Sequence, residues 1–162
     1  MTFQIITGDI TKIHCDAIVN AANKKLKGGG GVNGAIQKAA GPELLRDSQE
    51  LGGCPVGEAK ITGGYKLPCK YIIHAVAPHW FHGLLREKEK LASCYRTSLQ
   101  MAKENNCKTV AFPLLGAGNC GIPYDTALGI AVREISNFMR RKKNCDIEVM
   151  LVLYQEAENA GA

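Results

Sequence analysis

Short apolar runs that alternate with helical periodicity constrain this chain more than any other feature. Ala17-Ile18-Val19, Tyr71-Ile72-Ile73-His74-Ala75-Val76, Thr109-Val110-Ala111-Phe112-Pro113-Leu114 and Glu148-Val149-Met150-Leu151-Val152-Leu153 are nearly unbroken and rich in β-branched residues. A strand with one wet face alternates apolar with polar residues, so unbroken runs predict strands covered on both faces. Gln4-Ile5-Ile6 adds a first strand. The intervals between strands read as helices. Residues 33–40 place Ala35, Ile36, Ala39 and Ala40 on one face, and Pro42 opens a second helix. Residues 86–103 bring Leu91, Cys94, Tyr95, Ser98 and Ala102 into register, and 124–141 form a long helix after Pro123. This alternation predicts an α/β fold with a central sheet between helical layers and ligands bound beyond the strands' carboxyl ends. With no linker and no internal repeat, residues 1–162 are expected to form one domain.

Composition narrows the function classes. No apolar run approaches the ~20 residues of a membrane span, and the first residues lack a basic start leading into a long apolar stretch, so a cytoplasmic location is expected. The seven cysteines are scattered, odd in number and free of any C-x-x-C pair. They read as free thiols in a reducing compartment, with neither metal nor cofactor expected. The net charge of +5 suits an anionic ligand. The run Arg140-Arg141-Lys142-Lys143 ends a helical pattern, where cations complement the helix dipole, and reads as a helix end rather than a nucleic-acid patch.

Two glycine-rich segments each follow a strand and precede a helix. The first runs from Asn20-Ala21-Ala22-Asn23 past Lys24, Lys25 and Lys27 to Gly28-Gly29-Gly30-Gly31-Val32-Asn33; the second is Leu114-Leu115-Gly116-Ala117-Gly118-Asn119-Cys120-Gly121-Ile122-Pro123. Glycine lets backbone N–H groups approach a ligand without a Cβ in the way, and a helix start adds unpaired donors and a positive dipole end. One such loop often serves packing alone. Two in one chain point to a ligand with two phosphates or a diphosphate held from both sides. Neither continues into the Gly-Lys-Ser/Thr of a nucleotide-triphosphate loop, and neither is a dinucleotide fingerprint after the first strand.

Gly8-Asp9-Ile10-Thr11, Val19-Asn20-Ala21-Ala22-Asn23, Gly28-Gly29-Gly30-Gly31-Val32, and Gly116-Ala117-Gly118 with Gly121 and Pro123 resemble the motif series of macrodomains in order and spacing. The resemblance runs over essentially the whole chain, through His74-Ala75-Val76-Ala77-Pro78 to Tyr154, and is closest to the microbial branch that hydrolyses ADP-ribose linkages. It implies a three-layer α/β/α sandwich around a mixed, mostly parallel sheet, with ADP-ribose or an ADP-ribosylated protein as partner. It also implies roles. Asp9 would accept a hydrogen bond from the adenine amine, and the Ile10 N–H would bond a ring nitrogen. Asn23 would bond the distal ribose, with Asn20 supporting the loop. Gly30, Gly31 and Val32 would hold the diphosphate together with Gly116, Ala117, Gly118, Asn119 and Cys120. Tyr154 would pack beside adenine. Read without the resemblance, Asp9 is a capping residue, Asn20 and Asn23 are turn residues, Tyr154 closes the core and His74 is a satisfied core histidine.

One departure bears on activity. In the hydrolase branch the residue after Gly-Gly-Gly-Gly-Val is usually Asp, thought to position or activate water beside the distal ribose. Here it is Asn33, whose amide orients water but takes no proton, and general-base help is worth roughly 10²–10⁴-fold. Asn33 is expected to face the distal ribose rather than the core. Cys120 stands where that branch often has an aromatic, which loosens the distal pocket. Asn23 and Asn33 are thus the candidate catalytic residues. Three activities remain open: hydrolysis of mono-ADP-ribose linkages or of O-acetyl-ADP-ribose, non-catalytic ADP-ribose reading, and poly-ADP-ribose or RNA binding. The last lacks the interleaved aromatics of single-strand binders, since aromatics make up only 6%. A monomer is expected.

Overall fold

Side chains that alternate along each strand go to two different helical layers, which explains why the strands show no polar alternation. In the computed structural model, which describes residues 2–141, 143 and 146–154, Ala17 and Val19 pack with Leu91, Tyr95, Leu99 and Ile135, whereas Ile18 between them packs with Ile36, Ala40 and Leu44. The strands are β1 (Thr2–Gly8), β2 (Cys15–Ala22), β3 (Ala59–Gly63), β4 (Cys69–Val76), β5 (Thr109–Pro113) and β6 (Glu148–Tyr154); the helices are α1 (Gly31–Ala40), α2 (Pro42–Glu50), α3 (Glu87–Glu104) and α4 (Tyr124–Met139). The first cluster lies under α3 and α4 and the second under α1 and α2, giving the three layers the sequence predicts.

The sheet order is β1-β6-β5-β2-β4-β3. All neighbours are parallel except β3, which runs antiparallel to β4. The five parallel strands therefore end on one edge. That edge carries Asp9 after β1, Tyr154 at the end of β6, the 114–123 loop after β5, the 23–30 loop after β2 and the 77–86 segment after β4.

Some features depart from the sequence reading. β3 is absent from it, because Ala59-Lys60-Ile61-Thr62-Gly63 is a half-buried edge strand with a lysine, a threonine and a glycine, not an apolar run. Helix α1 begins two residues before the predicted start, at glycines that carry no periodicity, and α4 stops at Met139. Arg86 sits at φ 61°, outside α3. Arg140 and Arg141 follow α4 at the edge opposite the loops, while Lys142 and Cys145 lie outside the described residues. No described helix is long and apolar enough to cross a membrane, and the six described cysteines are free.

Candidate functional site

The first glycine loop is fixed by its own side chains. Asn23 and Lys27 bond reciprocally, with the Lys27 N–H donating to Asn23 Oδ1 and Asn23 Nδ2 donating to the Lys27 carbonyl, both at 3.0 Å. Each amide atom of Asn23 keeps further bonding capacity, so the turn role and the predicted ribose contact are compatible. Leu26, at φ 54°, anchors the loop by burying its side chain against Cys54 and Val76. The N–H groups of Gly28, Gly29 and Gly30 have no acceptor among the described residues, and Gly30 caps α1 without a side-chain bond. Gly31, Gly30, Gly29 and Gly28 are exposed, and Val32 is half-buried.

Asn33 is not where the sequence reading put it. Its side chain is buried, not turned out to a ribose. Its Oδ1 accepts from Asn20 Nδ2 at 3.0 Å, and its Nδ2 donates to the Lys27 carbonyl at 3.1 Å. The reason is positional: on the first turn of α1 the side chain lies over the end of β2, where Asn20 offers a buried donor. It still borders the loop, because a Cβ on Gly29 would stand 3.1 Å from Asn33 Nδ2 and 3.8 Å from Asn23 Nδ2. Asn20 is fully buried, which gives it the supporting role. Its Oδ1 has no partner among the described residues.

The network continues into the sheet. Asn20 Nδ2 also lies 3.1 Å from His74 Nδ1, and His74 Nε2 lies 2.9 Å from Thr62 Oγ1. Because the Asn20 amide donates, Nδ1 accepts, and Nε2–H donates to Thr62, whose hydroxyl donates to the Gly63 carbonyl. His74 is thus the satisfied core histidine expected, and Thr62, on the strand missed in the sequence, is its second partner. Burial lowers the His74 pKa to about 4. A pKa below the unfolded value of 6.5 means that stability is full above 6.5 and is lost as pH falls from there towards 4, to the extent of roughly 3 kcal/mol. An NMR titration is expected to find the His74 ring neutral at pH 5.5; protonation near 6.5 would contradict the network.

The second loop turns at Gly116 and Gly121, both in the left-handed region at φ 85° and 76°. A Cβ on Gly116 would meet Ile122 Cδ1 at 2.6 Å. The Ile122 N–H closes the turn on the Gly116 carbonyl at 2.9 Å, and the Leu115 N–H donates to the buried Tyr95 hydroxyl at 3.1 Å. No acceptor among the described residues serves the N–H groups of Ala117, Gly118, Asn119 and Cys120. The Cys120 thiol is half-buried and its pKa is raised by burial, the reverse of what a nucleophile needs.

At the far side of the edge, Asp9 caps the 3-10 turn Ile10–Lys12. Its Oδ1 accepts from the Thr11 N–H at 2.9 Å and from the Thr11 hydroxyl at 2.6 Å, which leaves Oδ2 without a protein partner among the described residues. Ile10 buries its side chain while opening that turn. Tyr154 is 65% exposed and stands in register with Gly8, beside Asp9. The predicted residues thus share one edge. A cavity of about 600 Å³ lies elsewhere, between α3 and α4, but Glu134 there already pairs with Arg96 and Arg133, and none of the predicted residues line it.

Comparison with known proteins identifies the family of the chain. The Macro domain family model matches residues 19–131. A Macro domain-containing protein of Methanosarcina mazei is 53% identical over 153 residues, 94% of this chain and 81% of its own length. Human ADP-ribose glycohydrolase MACROD2 is 45% identical over 156 residues, 96% of this chain but 37% of that protein. The Oceanobacillus iheyensis macrodomain, solved with ADP, superposes with a TM-score of 0.88 at 41% identity, covering 96% of this chain and 85% of that one. The order of loops along one sheet edge and these similarities lead to one conclusion: the chain belongs to the Macro domain family.

Proposed function

We propose that this protein binds ADP-ribose along the common edge and hydrolyses ADP-ribosyl linkages on proteins, or O-acetyl-ADP-ribose. The observation that carries the reading is the pair of glycine loops at the ends of adjacent strands β2 and β5, with backbone donors in both left without protein acceptors. Such donors, those of the first loop standing at the start of α1, suit a diphosphate. Asp9 Oδ2 then meets the adenine amine, with the Ile10 N–H and Tyr154 beside it, and Asn23 meets the distal ribose. Solved relatives with ADP and the glycohydrolase name of MACROD2 support ligand and reaction alike. In the reaction one water adds and the linkage to the acceptor breaks, returning ADP-ribose and the free acceptor group. Arg140 and Arg141 lie at the opposite edge, which favours this reading over nucleic-acid binding. The free thiols among the described residues fit a reducing compartment such as the cytoplasm.

Release of ADP-ribose from a mono-ADP-ribosylated acidic side chain tests the reading. Turnover above the uncatalysed rate supports hydrolysis; tight binding without turnover would leave a reader module. Asp9→Ala is expected to weaken ADP-ribose binding by ~1.5–3 kcal/mol, measured by calorimetry, and to lower stability separately through loss of the Thr11 cap, by ~0.5–2 kcal/mol. Unchanged affinity would remove Asp9 from the site.

A further inference from the structure

The strand order sets a direction for the ligand. From β1 to β4 the edge carries Asp9, Tyr154, the 116–121 turn, the 23–32 loop and then the 77–86 segment. With adenine at Asp9 and the diphosphate over β5 and β2, the distal ribose and the bond to be cleaved point at the segment after β4. Phe81, Leu84 and Leu85 there are 55%, 72% and 55% exposed.

These side chains are held out by a rigid mount. The buried Glu87 carboxylate accepts the N–H groups of Phe81 at 2.7 Å, Gly83 at 3.0 Å and Leu85 at 2.5 Å. Burial pushes its pKa up, but those N–H groups outweigh burial and keep it below the usual value. The Trp80 N–H donates to the Cys120 carbonyl at 2.7 Å, tying the segment to the second glycine loop. His82 and Arg86 sit in the left-handed region at φ 57° and 61°, a conformation that is costly for residues with a side chain. A segment whose polar groups are satisfied inward at this cost, with three large apolar side chains outward, is shaped to meet something apolar.

We propose that Phe81, Leu84 and Leu85 form a shelf that receives the polypeptide beyond the scissile linkage and so determine preference for modified protein over small ADP-ribosyl compounds. The occupant is an extended stretch of the modified protein carrying apolar side chains next to its acceptor residue. A second copy of this chain fits poorly: three side chains make up only a small part of the ~800 Å² per partner that a stable dimer buries. A nucleic acid fits poorly too, because the three outward side chains are apolar and carry no charge to meet phosphates. The proposal rests on the ADP-ribose reading of the cleft.

The test is the triple variant Phe81→Ser, Leu84→Ser, Leu85→Ser, which keeps every backbone N–H bonded to Glu87. Affinity for a mono-ADP-ribosylated protein and for free ADP-ribose is measured by calorimetry, and turnover is measured with that protein and with O-acetyl-ADP-ribose. Affinity for the modified protein is expected to fall about tenfold or more, the loss of one buried apolar side chain's contact, with free ADP-ribose and O-acetyl-ADP-ribose within about twofold. Equal affinity of parent and variant for modified protein, with ADP-ribose binding intact, overturns the shelf alone. Equal losses for protein and free ligand also overturn it, since the segment would then serve the cleft itself. A parent that fails to bind ADP-ribose overturns the cleft reading and the shelf with it.

Discussion

Asn33→Asp is expected to raise the rate of ADP-ribose release by about tenfold or more and to lower stability by roughly 1–3 kcal/mol. Both effects come from one geometry. The carboxylate keeps one bond of the amide, because Asn20 Nδ2 still donates to Oδ1. It loses the other, because a second oxygen faces the Lys27 carbonyl where Nδ2 donated. Two acceptors repel, which accounts for the lost stability. The oxygen is pushed away from Lys27 towards the space beneath Gly29, beside Asn23, where water adjoining the distal ribose would stand. The start of α1 favours a negative charge there, so the group stays ionised and able to take a proton. Single-turnover release from a mono-modified acidic side chain, parent against variant, reads the rate; urea unfolding reads the stability. An unchanged or lower rate with ADP-ribose affinity intact would show that the missing carboxylate does not limit this protein.

Gly34→Ala is expected to weaken ADP-ribose binding by about tenfold or more and to cost roughly 1–3 kcal/mol of stability. A Cβ at position 34 would stand 2.5 Å from the Gly29 carbonyl oxygen and 3.4 Å from its carbon. Both are backbone atoms, so no side chain can swing aside. Helix α1 cannot retreat easily, because Ile36 and Ala40 are buried against the sheet. The 28–30 loop must move instead, and its free N–H groups move with it. Gly129→Ala is the control: it lies in α4 with open space around it, so alanine there gains about 0.5–1 kcal/mol. If Gly34→Ala binds and melts like the parent, the loop is not held by that close approach.

Much of the fold was legible because burial on both faces writes itself as unbroken apolar runs. Residues 71–76 and 109–113 could be read as strands for that reason. Ala59–Gly63 could not, since an edge strand pairs on one side only and tolerates Lys60 and Thr62. The placement of the candidate site was legible where glycine spacing carries it: both loops lie at the predicted strand ends, and Asp9 and Tyr154 share their edge. Side-chain direction was not legible. Asn33 follows a glycine run at a helix start, and only the three-dimensional position of Asn20 and Lys27 shows that its amide turns inward. Gly34 could have been suspected, since it extends the same glycine-rich stretch into a helix, where glycine is unfavourable without a packing reason. Glu87 gave no signal at all: one acidic residue opening a charged helix looks like ordinary dipole complementation, and its three backbone partners appear only once the 81–85 segment is folded over it.

Calorimetric titration of ADP-ribose into the unmodified protein tests the central claim most directly. One site of micromolar affinity or better, about −8 kcal/mol, is the predicted result. No heat of binding together with no thermal shift at millimolar ADP-ribose would contradict it.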